Sequence, residues 1–230
     1  IITASMNVSA PTSANISTNN FSIQGGGGDD TITFNVNVQA DNDAIVANNS
    51  VTLTGSAGDD IISVNFSGSA TTDLAAYDGN SLLIEGGSGA DTITLTFGTK
   101  VSATNNTITL NGGAGADSFV ISELPSVGSN NNITFKYSCV LDGGDTISGL
   151  ESGDDFTFLF DYTAYSSGDF VAGTAADVTA STMWFYNTSS NVLQYDADTF
   201  GGASTAAITI AAFSTNVNLT AGDIQISGPG

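Results

Sequence analysis

Gly25-Gly26-Gly27-Gly28-Asp29-Asp30, running at once into Thr31-Ile32-Thr33-Phe34-Asn35-Val36, decides the fold because the chain writes this unit four times. The other copies are Gly55-Ser56-Ala57-Gly58-Asp59-Asp60, Gly86-Gly87-Ser88-Gly89-Ala90-Asp91 and Gly112-Gly113-Ala114-Gly115-Ala116-Asp117. Glycine holds the first and fourth positions, where the backbone is free to take positive φ and expose its carbonyls. Aspartate holds the sixth, where a carboxylate faces a neighbouring turn. Such turns stacked on one another predict a column of oxygen cages for Ca²⁺.

Outward from each turn the chain alternates. Phe21 and Ile23, Val51 and Leu53, Leu82 and Ile84, and Ile108 and Leu110 precede the four turns at a spacing of two. Ile32, Phe34, Val36 and Val38, then Ile62, Val64 and Phe66, then Ile93, Leu95 and Phe97, then Phe119 and Ile121 follow them in the same way. Period two marks strands with one buried face. Each leading strand is announced by a small polar turn, Asn19-Asn20, Asn48-Asn49, Asp78-Gly79-Asn80 or Asn105-Asn106, of residues that tolerate left-handed backbone. One coil therefore reads as polar turn, strand, glycine-rich turn, strand and a variable loop back. Antiparallel hairpins are the rival arrangement, but a hairpin does not need the same aspartate and glycines in every copy, whereas a stack does. The fold expected is all-β: a parallel β-solenoid, a wide β-roll or β-helix, with residues 1–141 as the repeats.

Charge narrows the partners. Twenty-three acidic residues face two basic ones, Lys100 and Lys136, with no histidine or arginine, for a net charge of −21. Two lysines cannot neutralise a run of phosphates or carboxylates, which argues against nucleic acid, anionic polysaccharide and anionic membrane as direct partners, and multivalent cations are the natural counter-charge. The chain has one cysteine, Cys139, so no disulfide staples the fold, as expected of an extracellular protein that relies on metal instead. No run approaches the ~20 apolar residues of a membrane span. Opening on Ile1 leads to the expectation of a removed leader or of a segment of a longer chain.

The four turns with their following apolar residues, Ile32, Ile62, Ile93 and Phe119, resemble the haemolysin-type nonapeptide of the RTX family, G-G-x-G-x-D-x-U-x with U apolar. Here the copies start 30, 31 and 26 residues apart rather than back to back. The resemblance implies Ca²⁺ as the bound ion. Asp30, Asp60, Asp91 and Asp117 would supply carboxylates, and carbonyls would come from the turn glycines Gly25, Gly26, Gly28, Gly55, Gly58, Gly86, Gly87, Gly89, Gly112, Gly113 and Gly115. Asp29 and Asp59 would add charge to the first two gaps. Transition metals are disfavoured by the absence of histidine and cysteine ligands in the turns.

From Asp142 the pattern degenerates through Asp145-Thr146-Ile147-Ser148-Gly149-Leu150 and Gly153-Asp154-Asp155-Phe156. Leu193-Gln194-Tyr195-Asp196-Ala197-Asp198, Ala206 to Ala211 and Leu219 to Ile224 are similar to the C-terminal region by which such proteins leave the cell through type I secretion. Residues 142–230 are thus expected to form a cap and secretion-type region. Their aromatics, Trp184, Phe185 and Tyr186 among them, read as packing for the last coil or as a carbohydrate platform.

Catalysis is hard to assemble without histidine or arginine, and aspartate pairs such as Asp154-Asp155 and Asp196-Asp198 are ordinary in so acidic a chain. The expectation is a non-enzyme. The leading reading is a secreted calcium-binding structural protein that self-assembles outside the cell into a surface layer, filament or matrix, as a homo-oligomer or polymer. The alternatives are a calcium-folding carrier module of a larger exoprotein, or an adhesin module. An adhesin would recognise ice or another surface through outward threonines such as Thr33, Thr52, Thr94 and Thr109, or cell-surface glycan through Trp184 to Tyr186.

Overall fold

The computed structural model describes residues 1–10, 15–40, 45–68, 75–98, 101–122, 131–138, 142–150, 156–161, 168–200 and 206–227. Lys100, Cys139, Asp154, Asp155, Tyr162 and Tyr165 lie outside them. The described residues are 66% strand and 3% helix and form a parallel β-solenoid of about four turns.

The first coil consists of β1 (Ile2–Ala10), β2 (Asn15–Ser17) and β3 (Asn20–Gly27). It repeats as β4 (Thr31–Ala40), β5 (Ile45–Ala47) and β6 (Ser50–Ala57), then β7 (Ile61–Gly68), β8 (Ala75–Asp78) and β9 (Ser81–Ser88), then β10 (Thr92–Phe97), β11 (Val101–Thr104) and β12 (Thr107–Ala114). Two-strand coils follow: β13 (Ser118–Ser122) with β14 (Asn132–Tyr137), and β15 (Asp145–Ser148) with β16 (Phe156–Phe160). The chain ends in β17 (Asp169–Gly173), β18 (Thr182–Asn187), β19 (Val192–Tyr195), β20 (Ile208–Phe213) and β21 (Ile224–Ile226).

Strands in equivalent positions pair in parallel and in register, with Ile32 beside Ile62, Ile62 beside Ile93 and Ile93 beside Phe119. Three sheets result. One runs β1-β4-β7-β10-β13-β15 into the C-terminal strands, one runs β3-β6-β9-β12-β14-β16-β21, and a four-stranded sheet is built from β2, β5, β8 and β11. The third sheet occupies part of what the sequence reads as a variable loop. Its strands are three or four residues long, too short to show a period of two, and neighbouring coils rather than local propensity hold them.

The alternation sets the core. Ile32, Leu53, Ile62, Val64, Ile84, Ile93, Leu95 and Leu110 have no exposed surface. Towards the C-terminus the filling changes from aliphatic to aromatic: Phe135 stacks on Phe158, and Trp184 lies 4.5 Å from both Phe160 and Tyr195, centroid to centroid. Of the two readings of Trp184 and Tyr186, packing holds, for both are buried. The sheets run on past Asp142: β15 pairs with β13, β16 with β14, and β20 with β15, after which β20, β19 and β18 turn antiparallel. At the opposite end β1, β2 and β3 each have a strand partner on one side, and Ile16, Phe21 and Ile23 are half-buried.

Candidate metal centre

The sixth-position aspartates turn inward and form a ladder along the solenoid axis. Asp30 N–H donates to Asp60 Oδ1 at 2.7 Å, Asp60 N–H to Asp91 Oδ1 at 2.7 Å and Asp91 N–H to Asp117 Oδ1 at 2.8 Å. Asp60, Asp91 and Asp117 are at most 2% exposed, while Asp30, at the first rung, is half-buried. Each carboxylate faces a neighbouring turn as its motif position suggests, and in Asp60, Asp91 and Asp117 one of the two oxygens is committed to a backbone amide.

The second oxygen is the unusual one. Oδ2 of Asp60, Asp91 and Asp117 is buried and accepts no hydrogen bond. A methyl group on Gly25 would sit 2.8 Å from both Asp30 Oδ2 and the Gly55 carbonyl oxygen. Methyls on Gly55 and Gly86 would collide with the corresponding pairs, Asp60 Oδ2 with the Gly86 carbonyl and Asp91 Oδ2 with the Gly112 carbonyl. First-position glycine is therefore required because the aspartate folds over it. Between successive turns a carboxylate oxygen and a carbonyl oxygen border one small space with no donor between them.

Two acceptors held together need a proton or a cation. Leaving a buried acceptor unpaired costs about 1–3 kcal/mol, more for a charged one. The carboxylates respond accordingly. Burial, the largest cause, raises the pKa of Asp91, pushes Asp117 up to about 6 and pushes Asp145 up to about 7. The amide bond from the preceding coil opposes the rise, and the charge of the neighbouring aspartates adds to it.

A set of carboxylate and carbonyl oxygens is what a hard cation such as Ca²⁺ takes. Among the described residues no group of three or more His, Cys, Asp or Glu side chains is arranged to hold a metal, so a cation in these gaps draws on backbone carbonyls for most of its ligands. The fourth-position glycines play another part. Gly89 and Gly115 have φ of +137° and +143°, and a side chain on either would strike the carbonyl of Gly58 or Gly89 one coil back. They allow coils to touch. Asp29 and Asp59, expected to charge the inner gaps, form an outer ladder instead: Asp29 Oδ1 accepts Asp59 N–H at 3.0 Å, and Asp59 Oδ1 accepts Ala90 N–H at 2.8 Å, both at the exposed surface.

A second inner ladder is made of asparagine. Nδ2 of Asn19, Asn49, Asn80 and Asn106 donates to Oδ1 of Asn49, Asn80, Asn106 and Asn131 at 2.9–3.0 Å. The backbone amides of the first four donate to the same oxygens. The left-handed residue of each polar turn, Thr18, Asn48, Gly79 or Asn105, immediately precedes its ladder asparagine. Sequence reasoning found the turns and missed the ladder. Its signal is a fixed offset: each of the first four ladder asparagines stands eleven residues before its coil's ladder aspartate. Asp145 was missed as a fifth aspartate rung, since Asp117 N–H donates to its Oδ1 at 2.9 Å although the glycine pattern has lapsed.

The Asp196-Asp198 pair is a local turn in which Asp198 N–H donates to Asp196 Oδ1 at 3.2 Å. Among the described residues no helix is long and apolar enough to cross a membrane. Comparison with family models, with curated proteins and with solved structures finds no match to the chain.

Proposed function

We propose that the chain is a calcium-stabilised structural solenoid of the cell exterior, exported by type I secretion, which assembles into a layer, filament or matrix. The observation that carries the calcium reading is the row of buried, unpartnered carboxylate oxygens at Asp60, Asp91 and Asp117, the first two bordering a carbonyl in the turn of the next coil. Ca²⁺ in the gaps supplies the missing positive charge and ties successive coils, and metal binding of this kind is coupled to folding. Asp30, Asp60, Asp91 and Asp117 would give the carboxylate oxygens, and the first-position glycines Gly55, Gly86 and Gly112 the carbonyls that border them.

At −21 the subunits repel unless divalent cations screen them. The experiment is light scattering and electron microscopy of purified protein with chelator and with Ca²⁺. Ordered assemblies that need Ca²⁺ are expected; a monomer under both conditions overturns the assembly part.

A second reading, the calcium-folding module of a larger exoprotein, is favoured by one polar detail. Among the described residues Asn19 Oδ1 and Asp30 Oδ1 accept no hydrogen bond, while their counterparts in the next coils accept amides from the coil before. They match the donors of another coil of this same repeat. The mass of the native polypeptide separates the two readings.

A further inference from the structure

In the sheet that contains β1, β4, β7, β10, β13 and β15, these six strands pair in parallel and in continuous register. The alternation that buries Ile62 and Leu95 turns the intervening residues outward, in rows that cross the coils. One row runs Thr3, Thr33, Ser63, Thr94, Val120 and Ser148. Charge is missing from this face. The chain carries 23 acidic residues, yet the one charged residue in these six strands is Asp145, and it is 2% exposed. The other two sheets differ, with Glu85 and Lys136 on the seven-stranded sheet and Asp78 on the four-stranded one.

The rows bond along themselves. Asn37 Nδ2 donates to Asn7 Oδ1 at 2.7 Å, and Ser67 Oγ donates to Asn37 Oδ1 at 2.6 Å. Asn65 Nδ2 donates to Asn35 Oδ1 at 2.9 Å, and Ser122 Oγ to Thr96 Oγ1 at 3.2 Å. Such bonds fix rotamers and occupy polar atoms before any partner arrives, which lowers the cost of ordering and drying the surface. At the turn edge of the face Ile61, between Thr31 and Thr92, is left 48% exposed.

We propose that this uncharged face of the β1-β4-β7-β10-β13-β15 sheet docks on the same face of a second copy of the chain. The inference rests on the assembly part of the reading above and names the surface that carries it. Parallel, in-register sheets with rows of small side chains mate in dry, interdigitated zippers, and asparagine ladders add to their cohesion. A second copy presents rows at the same spacing as the first. Of the three sheets, this is the one on which two copies at −21 meet without bringing like charges into the contact. Six strands about 4.8 Å apart and about 20 Å long cover about 600 Å² per copy, so a pair buries about 1,200 Å² and clears the roughly 1,000 Å² that a specific interface needs. Because like faces meet, the contact is isologous and its product is a dimer, the unit from which larger assemblies are built.

Sedimentation velocity of the full 230-residue chain in about 1 mM free Ca²⁺, over a range of protein concentrations, should show a monomer–dimer equilibrium. Ser63→Glu and Thr94→Glu, each in the middle of the face, should weaken it by at least about tenfold. Thr109→Glu, outward on the seven-stranded sheet, should leave it within about twofold. Circular dichroism of each variant checks that the solenoid is intact. Dimers or larger assemblies that form equally well in the Ser63→Glu and Thr94→Glu proteins overturn this face and leave the assembly reading standing. A wild-type chain that stays monomeric overturns both; if that monomer adsorbs to ice or to insoluble neutral polysaccharide, and the Thr94→Glu protein does not, the face belongs to another occupant.

Discussion

Replacing Asp91 by asparagine should stabilise the calcium-free protein and at the same time remove much of its response to calcium. Asp91 Oδ1 accepts the buried Asp60 amide at 2.7 Å, and an asparagine oxygen keeps that bond. Asp91 Oδ2 is the orphan, bordering the Gly112 carbonyl. An asparagine NH₂ in its place turns a pair of opposed acceptors into donor and acceptor. The gain is the cost of the unpaired acceptor, about 1–3 kcal/mol, and for a chain of this size that is a rise in melting temperature of about 2–10 °C in chelator. With Ca²⁺ present the sign reverses, because the variant has lost one carboxylate from two adjacent gaps. Asp91→Ala is the control: it strips the Asp60 amide of its acceptor and should destabilise by about 2–4 kcal/mol in both conditions. Melting curves followed by far-ultraviolet circular dichroism, with chelator and with excess Ca²⁺, give all the comparisons. An Asp91→Asn variant that melts below the wild type in chelator, or that gains as much from Ca²⁺ as the wild type does, refutes the reasoning.

Acidity should act the same way as that substitution. An aspartate whose folded pKa is raised binds its proton more tightly folded than unfolded, so its contribution is complete below the unfolded value near 4 and is lost as pH rises through the folded one. With Asp117 at about 6 and Asp145 at about 7, the chelated protein should melt higher at pH 5 than at pH 8, by on the order of a few kcal/mol, and saturating Ca²⁺ should flatten the difference. Asn106→Ala should cost about 3 kcal/mol, because its Oδ1 accepts both the backbone and the side chain of Asn80 while its Nδ2 serves the Tyr77 carbonyl and Asn131. Ca²⁺ binding by the folded Asn106→Ala protein should be unchanged in dialysis, since this ladder runs apart from the aspartates. Gly89→Ala should cost about 2–4 kcal/mol, combining strain at φ +137° with a clash against the Gly58 carbonyl; a melting temperature equal to that of the wild type contradicts the close stacking.

The coil was legible because its two long strands alternate strictly and the glycine-rich turn fixes their phase. Ile32, Ile62, Ile93 and Phe119 occupy the predicted apolar position and all are buried. What was hidden has physical reasons. The β2-β5-β8-β11 sheet exists through pairing between coils, and three residues such as Ile45-Val46-Ala47 carry no periodicity of their own. Asn19, Asn49, Asn80, Asn106 and Asn131 look like ordinary turn residues until their side chains are seen bonded to each other across coils. The inward turn of Asp60, Asp91 and Asp117 was not legible either, because a Gly-x-x-Gly-x-Asp turn presents its carboxylate to either side of the backbone and only the stacked amides select the inside. Asp145 escaped notice as a rung because the glycines that flag the other turns are displaced there, while register with Asp117 persists.

The most direct measurement is the far-ultraviolet circular dichroism of the wild-type chain at neutral pH, first in excess chelator and then as free Ca²⁺ is raised to about 1 mM, the range of extracellular calcium modules. Unscreened, the orphaned Oδ2 atoms of Asp60, Asp91 and Asp117 oppose stacking. The account predicts reduced β-structure in chelator, restored cooperatively by Ca²⁺ but not by the same ionic strength of Na⁺. Full β-structure and an unchanged melting temperature in excess chelator would contradict it.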